Sequence, residues 1–273
     1  MSPADPSPAT ESVSITRWGP GGGGVPEPDR VAVEEPLEIR VETHPVVVTM
    51  RTPGHDEELA AGFLATEGVV NRAGAIAAIR HYPRNESGNA IDVWLSPGTT
   101  VDLKRLSRNM YAASSCGICG KAAIESIRLA CAPAGPGPRL TAGILGALPD
   151  KLRAAQAAFE ASGGLHGAGL FDEQGTLLVA REDVGRHNAV DKVIGRALLD
   201  GLWPLDRHVL LVSGRASFEI QQKALAGGIA FVAAVSAPSS LAVRFAVETG
   251  QTLVGFLRNG RFNVYAHPER IAG

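Results

Sequence analysis

Two of the chain's three cysteines, Cys116 and Cys119, are separated by only two residues. Thiols at this spacing serve as a redox pair, as half of a metal site, or as a relay that accepts a sulfur atom and passes it on. Lys121 follows the pair, and a short helix is predicted from that lysine onward. Because a helix start and a nearby cation both favour the thiolate, we expect these thiols to ionise easily.

Small and polar residues surround the pair, namely Ser114, Ser115, Gly117 and Gly120. Such residues seldom form a packed core, so the interpretation of the pair as buried structural thiols is disfavoured. The third cysteine, Cys131, falls where the predicted short helix ends, and we interpret it as a small apolar filler.

Two of the three chemistries fit the sequence loosely. A thioredoxin-like pair is expected near the start of a compact βαβ domain, whereas this pair begins at residue 116. Zinc deaminases show H-x-E followed by P-C-x-x-C. His55 and Glu57 supply an H-x-E, but it lies far upstream, and Ser115 stands in place of the proline. A deaminase-like zinc hydrolase built on these two residues with Cys116 and Cys119 is the alternative interpretation.

The composition is that of a globular protein. The chain has 273 residues, of which 45% are hydrophobic, and a formal net charge of −2. This length can bury one large core or two modest ones, and the charge argues against nucleic acid as a partner. Three cysteines do not make a disulfide framework, and neither a signal peptide nor a membrane span is predicted. We therefore expect a cytoplasmic protein.

Hydrophobic periodicity predicts two folded parts and a tail. Residues 1–36, rich in Pro, Gly and Ser, are predicted to be a disordered tail. Residues 37–131 are predicted to form a small α+β subdomain that ends in the cysteine loop, and the Pro- and Gly-rich residues 132–138 a linker. Residues 139–273 are predicted to form an α/β domain, a mixed sheet with helices on its faces, preceded by a helix over 150–161.

Polar loops follow three predicted strands of the second part, at residues 182–188, 213–217 and 236–240. Helix N-termini present free N–H groups, and ligands of open α/β sheets bind beyond the carboxyl ends of the strands. Because Arg186 and Arg215 lie among these loops, the pattern predicts a crevice for a phosphate-bearing ligand. The alternative is that the serines of the loops are ordinary helix caps.

Two histidines lie close to these loops. His187 is four residues from both Asp183 and Asp191, a spacing that lets a carboxylate orient an imidazole for acid–base work. The same spacing is equally typical of a surface pair. His166, which stands among glycines, either contacts a ligand or fills a turn.

Four segments of the sequence form a pattern: SSCGICG at 114–120, EDVGRHNAVDK at 182–192, SGR at 213–215 with Glu219, and GFLRNGRFNVY at 255–265. Together they resemble the FdhD family of formate dehydrogenase accessory sulfurtransferases. The resemblance runs from about residue 36 to the C-terminus, and its long central motif is far more specific than a lone C-x-x-C.

The resemblance implies a sulfur carrier, that is, a sulfurtransferase that takes sulfane sulfur from a cysteine desulfurase as a cysteine persulfide. It implies delivery of that sulfur to the molybdenum bis(molybdopterin guanine dinucleotide) cofactor, a bound substrate, before its insertion into the formate dehydrogenase apoenzyme. Cys116 is implied as the persulfide carrier and Cys119 as the second catalytic cysteine. The resemblance further implies a homodimer, a cytidine-deaminase-like second half, and no permanently held metal.

The family's cofactor-contacting segment maps onto Phe256, Leu257, Arg258, Asn259, Gly260 and Arg261. Arg258 and Arg261 supply positive charge that suits the phosphates of a guanine dinucleotide. Asn259 and Gly260 by themselves predict an ordinary hairpin turn, so both interpretations of the segment stay open. A non-catalytic chaperone that only cradles the cofactor is a third class of function.

Overall fold

A computed structural model describes residues 9–82, 88–99 and 132–272 of the chain. Cys116, Cys119 and Cys131 lie outside these ranges. The exposed cysteine loop and the short helix after it therefore stay predictions.

The N-terminal residues form a hairpin rather than the predicted disordered tail. Strands β1 (Thr10–Gly19) and β2 (Gly22–Ala32) pair antiparallel, which corrects the prediction for residues 10–32. Alternating polar and β-branched residues at 12–16 give a strand period that the Gly- and Pro-rich composition obscured. An ion pair between Arg17 and Glu27 at 2.6 Å joins the two strands.

The first part of the chain forms a four-stranded sheet with one helix. Its strands are β3 (Glu35–Val41), β4 (His44–Arg51), β5 (Ile76–His81) and β6 (Ala90–Leu95), in the order β4-β3-β6-β5. Strand β3 runs parallel to β6 and antiparallel to β4. Helix α1 (Asp56–Thr66) connects β4 to β5.

The second part alternates strands and helices. Its elements are β7 (Leu140–Thr141), α2 (Ala142–Ala154), α3 (Ala157–Ser162), β8 (His166–Phe171), β9 (Leu177–Asp183), α4 (Arg186–Leu199), β10 (Val209–Val212), α5 (Phe218–Ala226), β11 (Phe231–Ala234), α6 (Ser240–Thr249), β12 (Thr252–Arg258), β13 (Arg261–Ala266) and β14 (Ile271–Ala272). Six of the strands form one mixed sheet in the order β13-β12-β11-β10-β8-β9, and β7 pairs with β14. None of the helices described here is long and apolar enough to cross a membrane.

The single helix predicted over 150–161 is wrong. Helix α2 already begins at Ala142, where the Thr141 hydroxyl accepts a hydrogen bond from the Ile144 N–H at 3.2 Å. The chain leaves the helix after Ala154, and α3 starts at Ala157 after two intervening residues. The prediction began the helix just after Pro149, because proline is typical of the first turn of a helix. In the structure Pro149 lies inside α2.

Helices cover both faces of the six-stranded sheet, which confirms the predicted α/β class. One face of β10 and β11 joins the core beneath α1, α4 and α5, and the other joins the core beneath α2. The first set is Leu210, Val212, Val232 and Ala234; the second is Val209, Leu211, Phe231 and Ala233. Leu37, Ile39 and Val41 of β3 belong to the first core, so both parts of the chain share it. The domain boundary at 132–138 stays a prediction.

Helices α1 and α4 cross with their backbones in contact. A Cβ atom at Gly62 would lie 1.8 Å from the Asp191 carbonyl oxygen, and one at Gly195 would lie 1.8 Å from that of Glu58. Since no side chain fits at either position, this crossing requires glycine on both helices. The crossing fixes α4, and with it the polar loop that precedes α4, against the first part of the chain.

Candidate functional site

Four strands of the large sheet end at one edge. Strand β9 is antiparallel to β8, which is antiparallel to β10, and β10, β11 and β12 are mutually parallel. The carboxyl ends of β9, β10, β11 and β12 therefore lie on the same side. The three polar loops and the segment that follows β12 meet at this edge, where ligands of such sheets bind.

A cleft of about 780 Å³ opens between three of these loops and the C-terminal end of α2. We name it the arginine cleft; its polar residues at the sheet edge are His166, Arg186, Ser213, Gly214, Arg215 and Ser236. The structure thus brings residues of all three loops together, as the crevice prediction expects. Arg186 is partly buried and Arg215 is exposed.

A second cleft of about 950 Å³ lies at the turn between β12 and β13. We name it the turn cleft, and its lining consists of Phe256, Arg258, Asn259, Gly260, Arg261, Phe262 and Asn263. Five of the six residues expected to contact cofactor line this cleft. Leu257 does not, because its side chain is fully buried in the core beneath α2.

Phe256 has an unusual backbone that directs its ring outward. Its φ is 54°, and the register between β12 and β13 shifts between Gly255 and Arg258. A left-handed conformation costs a residue other than glycine about 1–2 kcal/mol. The Phe256 N–H bonds the Ser236 carbonyl oxygen at 3.1 Å, and the Arg258 guanidinium lies 5.9 Å from the ring centre. Strained backbone of this kind concentrates at functional sites.

The turn itself is the predicted Asn-Gly hairpin. Asn259 and Gly260 have φ values of 52° and 69°, as a type I′ turn requires, and they connect the paired Arg258 and Arg261. Both arginines are exposed, and no hydrogen bond or ion pair engages their guanidinium groups within the described residues. The turn therefore presents two guanidinium groups that have no acidic partner in the described part of the chain.

One backbone hydrogen bond joins the linings of the two clefts. Ser236 lines the arginine cleft, and its carbonyl oxygen accepts the Phe256 N–H in the wall of the turn cleft. Gly255 permits this approach, because a Cβ there would lie 2.9 Å from Pro238.

Most polar residues of the motif at 182–192 hold the fold. The Glu182 carboxylate accepts hydrogen bonds from the Ala158 and Phe159 N–H groups at 3.0 and 2.7 Å, so it caps α3. Asp183 is fully buried and lies 2.7 Å from the Lys192 ammonium. Because these structural roles depend on partners in other elements, no local sequence pattern predicts them.

Asp183 is further bound by three N–H groups, from the Thr52 backbone at 3.1 Å, the Gly185 backbone at 2.8 Å and the Asn188 side chain at 3.0 Å. The Lys192 ammonium also donates to the Thr52 carbonyl oxygen at 2.9 Å. The buried pair therefore joins the end of β4 to the loop before α4, and it positions Arg186 at the sheet edge.

The expected pairing of His187 with Asp183 or Asp191 is wrong. Asp191 faces inward and binds the Lys223 ammonium at 2.9 Å and the Thr66 hydroxyl at 2.8 Å. The spacing of four residues places side chains on neighbouring positions of a helix, but buried partners on α1 and α5 engage this carboxylate instead.

His187 instead contacts α5 and the loop before it. Its Nε2 lies 3.3 Å from the Ser217 hydroxyl and 3.3 Å from a Glu219 carboxylate oxygen. Burial, together with the positive charges of Arg186 and Lys223, lowers the pKa of His187 to about 3. Burial also raises the pKa of Glu219. The imidazole is therefore neutral at pH 7, and Glu219 is the carboxylate partner of His187 that the spacing argument missed.

Two serines of these loops cap helices. The Ser217 hydroxyl accepts from the Ile220 N–H at 3.4 Å, and the Ser239 hydroxyl from the Ala242 N–H at 3.2 Å. Ser213 differs, because its hydroxyl accepts from the Gly167 N–H at 2.8 Å and remains at the arginine cleft.

His55 and Glu57, of the alternative zinc site, lie at the start of α1. His55 has a φ of 59°, and its Nδ1 is 3.5 Å from a Glu58 carboxylate oxygen. Glu57 is exposed. Within residues 9–82, 88–99 and 132–272, no group of three or more His, Cys, Asp or Glu residues is arranged to hold a metal ion. The cysteine pair lies outside these ranges, so the alternative itself stays a prediction.

Comparisons with known proteins agree over nearly the whole chain. A model described as the FdhD/NarQ family matches residues 32–272. Sulfur carrier protein FdhD from Streptomyces avermitilis is 53% identical over 253 residues, covering 90% of each chain. The protein of the same name from Mycobacterium tuberculosis is 50% identical, covering 90% of this chain and 93% of that relative.

A crystal structure from Desulfotalea psychrophila, of a protein provisionally described as a formate dehydrogenase accessory protein, has the same fold. Its TM-score is 0.78 at 27% identity, with 97% of this chain and 100% of that chain covered. The family match spans both parts of the chain, and the structural match includes the edge where the two clefts lie. The chain belongs to the FdhD/NarQ family.

Proposed function

We propose that this protein is a sulfur carrier in formate dehydrogenase maturation and that it acts as a sulfurtransferase through a persulfide on Cys116. The observation that carries the proposal is its 50–53% identity to proteins named sulfur carrier protein FdhD over nine-tenths of the chain. A carrier of this kind needs an easily ionised thiol to accept sulfane sulfur and a second group to assist its release. Cys116 and Cys119 supply these groups in the proposal.

The acceptor in the proposal is the molybdenum bis(molybdopterin guanine dinucleotide) cofactor, held as a substrate at the turn cleft. The support is chemical: an aromatic ring suits a guanine base, and free guanidinium groups suit phosphates. Phe256, Arg258 and Arg261 present these groups side by side in a chain whose net charge is −2. The chain therefore concentrates positive charge locally at this edge.

The proposal includes a cysteine desulfurase as the sulfur donor and the formate dehydrogenase apoenzyme as the recipient of the sulfurated cofactor. It further includes a cytoplasmic location, which the composition and cysteine content of the sequence favour, and a homodimeric assembly, which the family resemblance implies. No step of the proposal requires a metal that the protein holds permanently.

Activation of formate dehydrogenase in cells that lack their own carrier tests the proposal. We expect Cys116→Ala to abolish formate dehydrogenase activity while the apoenzyme and the cofactor are still produced. Cys131→Ala makes the same change at another cysteine and serves as the matched control, which keeps activity. A chaperone that only cradles the cofactor would instead stay active as Cys116→Ala.

The deaminase-like alternative makes a different prediction for the purified protein. It requires tightly bound zinc that is lost in His55→Ala. Metal analysis of both proteins distinguishes the two functions, because the sulfur carrier needs no zinc and is indifferent to His55.

A further inference from the structure

The N-terminal hairpin projects from the rest of the protein. Its strands β1 and β2 have ten and eleven residues, so at about 3.4 Å per residue the hairpin is about 30 Å long. At its base it packs on α3, where Thr10 is buried and a Cβ atom at Gly164 would lie 3.2 Å from Ala32 Cβ. Beyond Thr10 none of its residues is buried. We name the hairpin over residues 10–32 the arm.

One face of the arm combines apolar and acidic side chains. Residues paired across two strands, and every second residue along each strand, share a face of a sheet. By this rule six side chains form one surface, which we name the acidic face: Glu11, Val13, Ile15, Glu27, Asp29 and Val31. Each of its three cross-strand pairs joins an acidic residue to an apolar one.

Two of the three carboxylates of the acidic face are not neutralised within the described part of the chain. Glu27 pairs with Arg17 at 2.6 Å. Glu11 and Asp29 form no ion pair there, and Asp29 accepts a hydrogen bond from the Arg30 backbone N–H at 2.8 Å. An apolar surface with unpaired carboxylates is complementary to a protein surface that is apolar and flanked by Lys or Arg.

The tip of the arm exposes two large apolar side chains. Trp18 is 76% exposed and Val25 is 82% exposed. The Trp18 ring lies against Gly23, where a Cβ atom would lie 2.7 Å from the ring. Tryptophan is enriched among the residues that contribute most to protein–protein binding. Because a two-stranded hairpin alone is marginally stable in water, an exposed arm of this length indicates a partner that covers it.

The arm stands at the rim of the arginine cleft. Helix α3, on which the arm packs, and the turn after α3 contribute Phe159, Gly163 and Gly164 to the lining of that cleft. The turn cleft lies at the same edge of the sheet, joined to the arginine cleft through the hydrogen bond of Ser236 with Phe256. A protein bound to the arm is therefore held beside the region that holds the cofactor in the proposed function.

We propose that the acidic face and the tip of the arm dock the apoenzyme that receives the cofactor, through an apolar surface of the apoenzyme flanked by Lys or Arg. The inference rests on the proposed function, which supplies the recipient. One face of the arm, about 30 Å long and about 10 Å wide, covers about 300 Å². This area is below the roughly 800 Å² per partner of stable complexes, so the contact is transient, as a carrier that must release its recipient requires. Two acidic faces repel each other, which disfavours pairing between the arms of two copies.

Calorimetric titration of the full-length protein with the purified formate dehydrogenase apoenzyme, at low and at physiological salt, tests the inference. We expect Glu11→Ser with Asp29→Ser to weaken binding roughly tenfold at physiological salt and to reduce its salt dependence, because two charges leave the contact. Trp18→Ala should weaken binding roughly tenfold to a hundredfold at either salt concentration, because it removes an apolar anchor.

Ser12→Lys with Ser14→Lys is the matched control. It changes the net charge by the same two units as Glu11→Ser with Asp29→Ser, but on the opposite face of the same strand. It should bind the apoenzyme within about twofold of the unchanged protein at physiological salt.

The inference is overturned if the apoenzyme does not bind, or if it binds the acidic-face and Trp18 variants as tightly as the control. It is also overturned if Trp18→Ala halves the mass measured by light scattering, because the arm then joins two copies of this chain. A loss of cysteine desulfurase binding in place of apoenzyme binding would overturn it equally.

Persulfide loading of Cys116 in the same variants separates this inference from the proposed function. Normal loading with unchanged apoenzyme binding in every variant overturns the docking surface alone. Weakened apoenzyme binding in the arm variants, with no loading in any variant or in the unchanged protein, overturns the sulfur carrier alone.

Discussion

Replacing Lys223 by methionine removes the ammonium that binds the buried carboxylate of Asp191. The two carboxylate oxygens lie 3.1 and 2.9 Å from Lys223 Nζ, and the two residues are 2% and 3% exposed. After the substitution, Asp191 keeps the Thr66 hydroxyl as a donor. Breaking a buried ion pair by removing one partner costs about 3–5 kcal/mol. We therefore expect Lys223→Met to lower the free energy of unfolding by an amount in this range at pH 7.

The second buried pair provides an internal comparison. Asp183 in Lys192→Met keeps three N–H donors, from Thr52, Gly185 and Asn188. Because these donors still solvate the carboxylate, we expect the loss of unfolding free energy to be smaller, about 2 kcal/mol. The two pairs are almost equally buried. The number of hydrogen-bond donors that the carboxylate keeps therefore decides which variant loses more unfolding free energy.

The loss of unfolding free energy in Lys223→Met should be larger at pH 7 than at pH 5. Burial already raises the pKa of Asp191, to about 6, and removal of the ammonium raises it further. Below about pH 6 this carboxyl is protonated in both folded proteins, whereas above it the variant keeps a proton that the unchanged protein releases, so the stability deficit of the variant grows as pH rises from about 6 to 7. We expect the deficit at pH 5 to be smaller than at pH 7 by at least about 1 kcal/mol.

Urea unfolding of both variants at pH 5 and pH 7 measures these quantities. A double variant, Lys223→Met with Asp191→Leu, removes both charges and should recover most of the loss. The reasoning is refuted if Lys223→Met costs less than about 1 kcal/mol at pH 7, if its cost is the same at both pH values, or if Lys192→Met costs more.

Three further predictions concern the helix crossing, an acid-sensitive ion pair and the strained aromatic residue. Gly195→Ala should lower the unfolding free energy by at least about 3 kcal/mol, because its Cβ would lie 1.8 Å from the Glu58 carbonyl oxygen and the helices must separate. Although burial opposes it, hydrogen bonds with His55 and Arg181 lower the pKa of Glu58 to about 2. This contribution to stability is present above the ordinary pKa and is lost as pH falls toward 2, so Glu58→Gln should flatten the acid limb of the stability curve by about 1–2 kcal/mol. Phe256→Gly should change the unfolding free energy by less than about 1 kcal/mol, because relief of the left-handed backbone offsets the lost ring, while guanosine binding is lost.

Each of these has a control in the chain. Gly143→Ala, where the nearest atom to a new Cβ is 3.9 Å away, should be neutral, and equal effects at Gly143 and Gly195 would contradict the account of the crossing. An acid limb unchanged in Glu58→Gln would show that this carboxylate keeps its ordinary pKa. Full guanosine affinity in Phe256→Gly would show that the Phe256 ring does not contribute to guanosine binding.

The large sheet could be predicted from the sequence because the patterns that identify its strands, helices and turns are local. The continuous apolar runs of β10 and β11, the serines that cap α5 and α6, and the Asn259-Gly260 turn each identify an element without reference to the rest of the chain. Strand order then follows from the pairing of these elements, and it brings the polar loops to one edge.

Features that depend on distant partners could not be predicted in this way. Asp191 binds Lys223, which lies on another helix. The spacing of four residues between His187 and Asp191 on α4 does not show that Lys223, and not His187, is the partner. The backbone of Phe256 depends on Ser236, which belongs to the loop after β11. The hairpin at residues 10–32 was missed for another reason, since composition outweighed a strand period that is present in the sequence.

Mass spectrometry of the intact protein after incubation with a cysteine desulfurase and cysteine tests the central claim most directly. The account predicts an adduct of about 32 Da, one sulfur atom, that reductant removes, that maps to Cys116 and that Cys131→Ala retains. An unmodified protein, or an adduct that persists in Cys116→Ala, would contradict it.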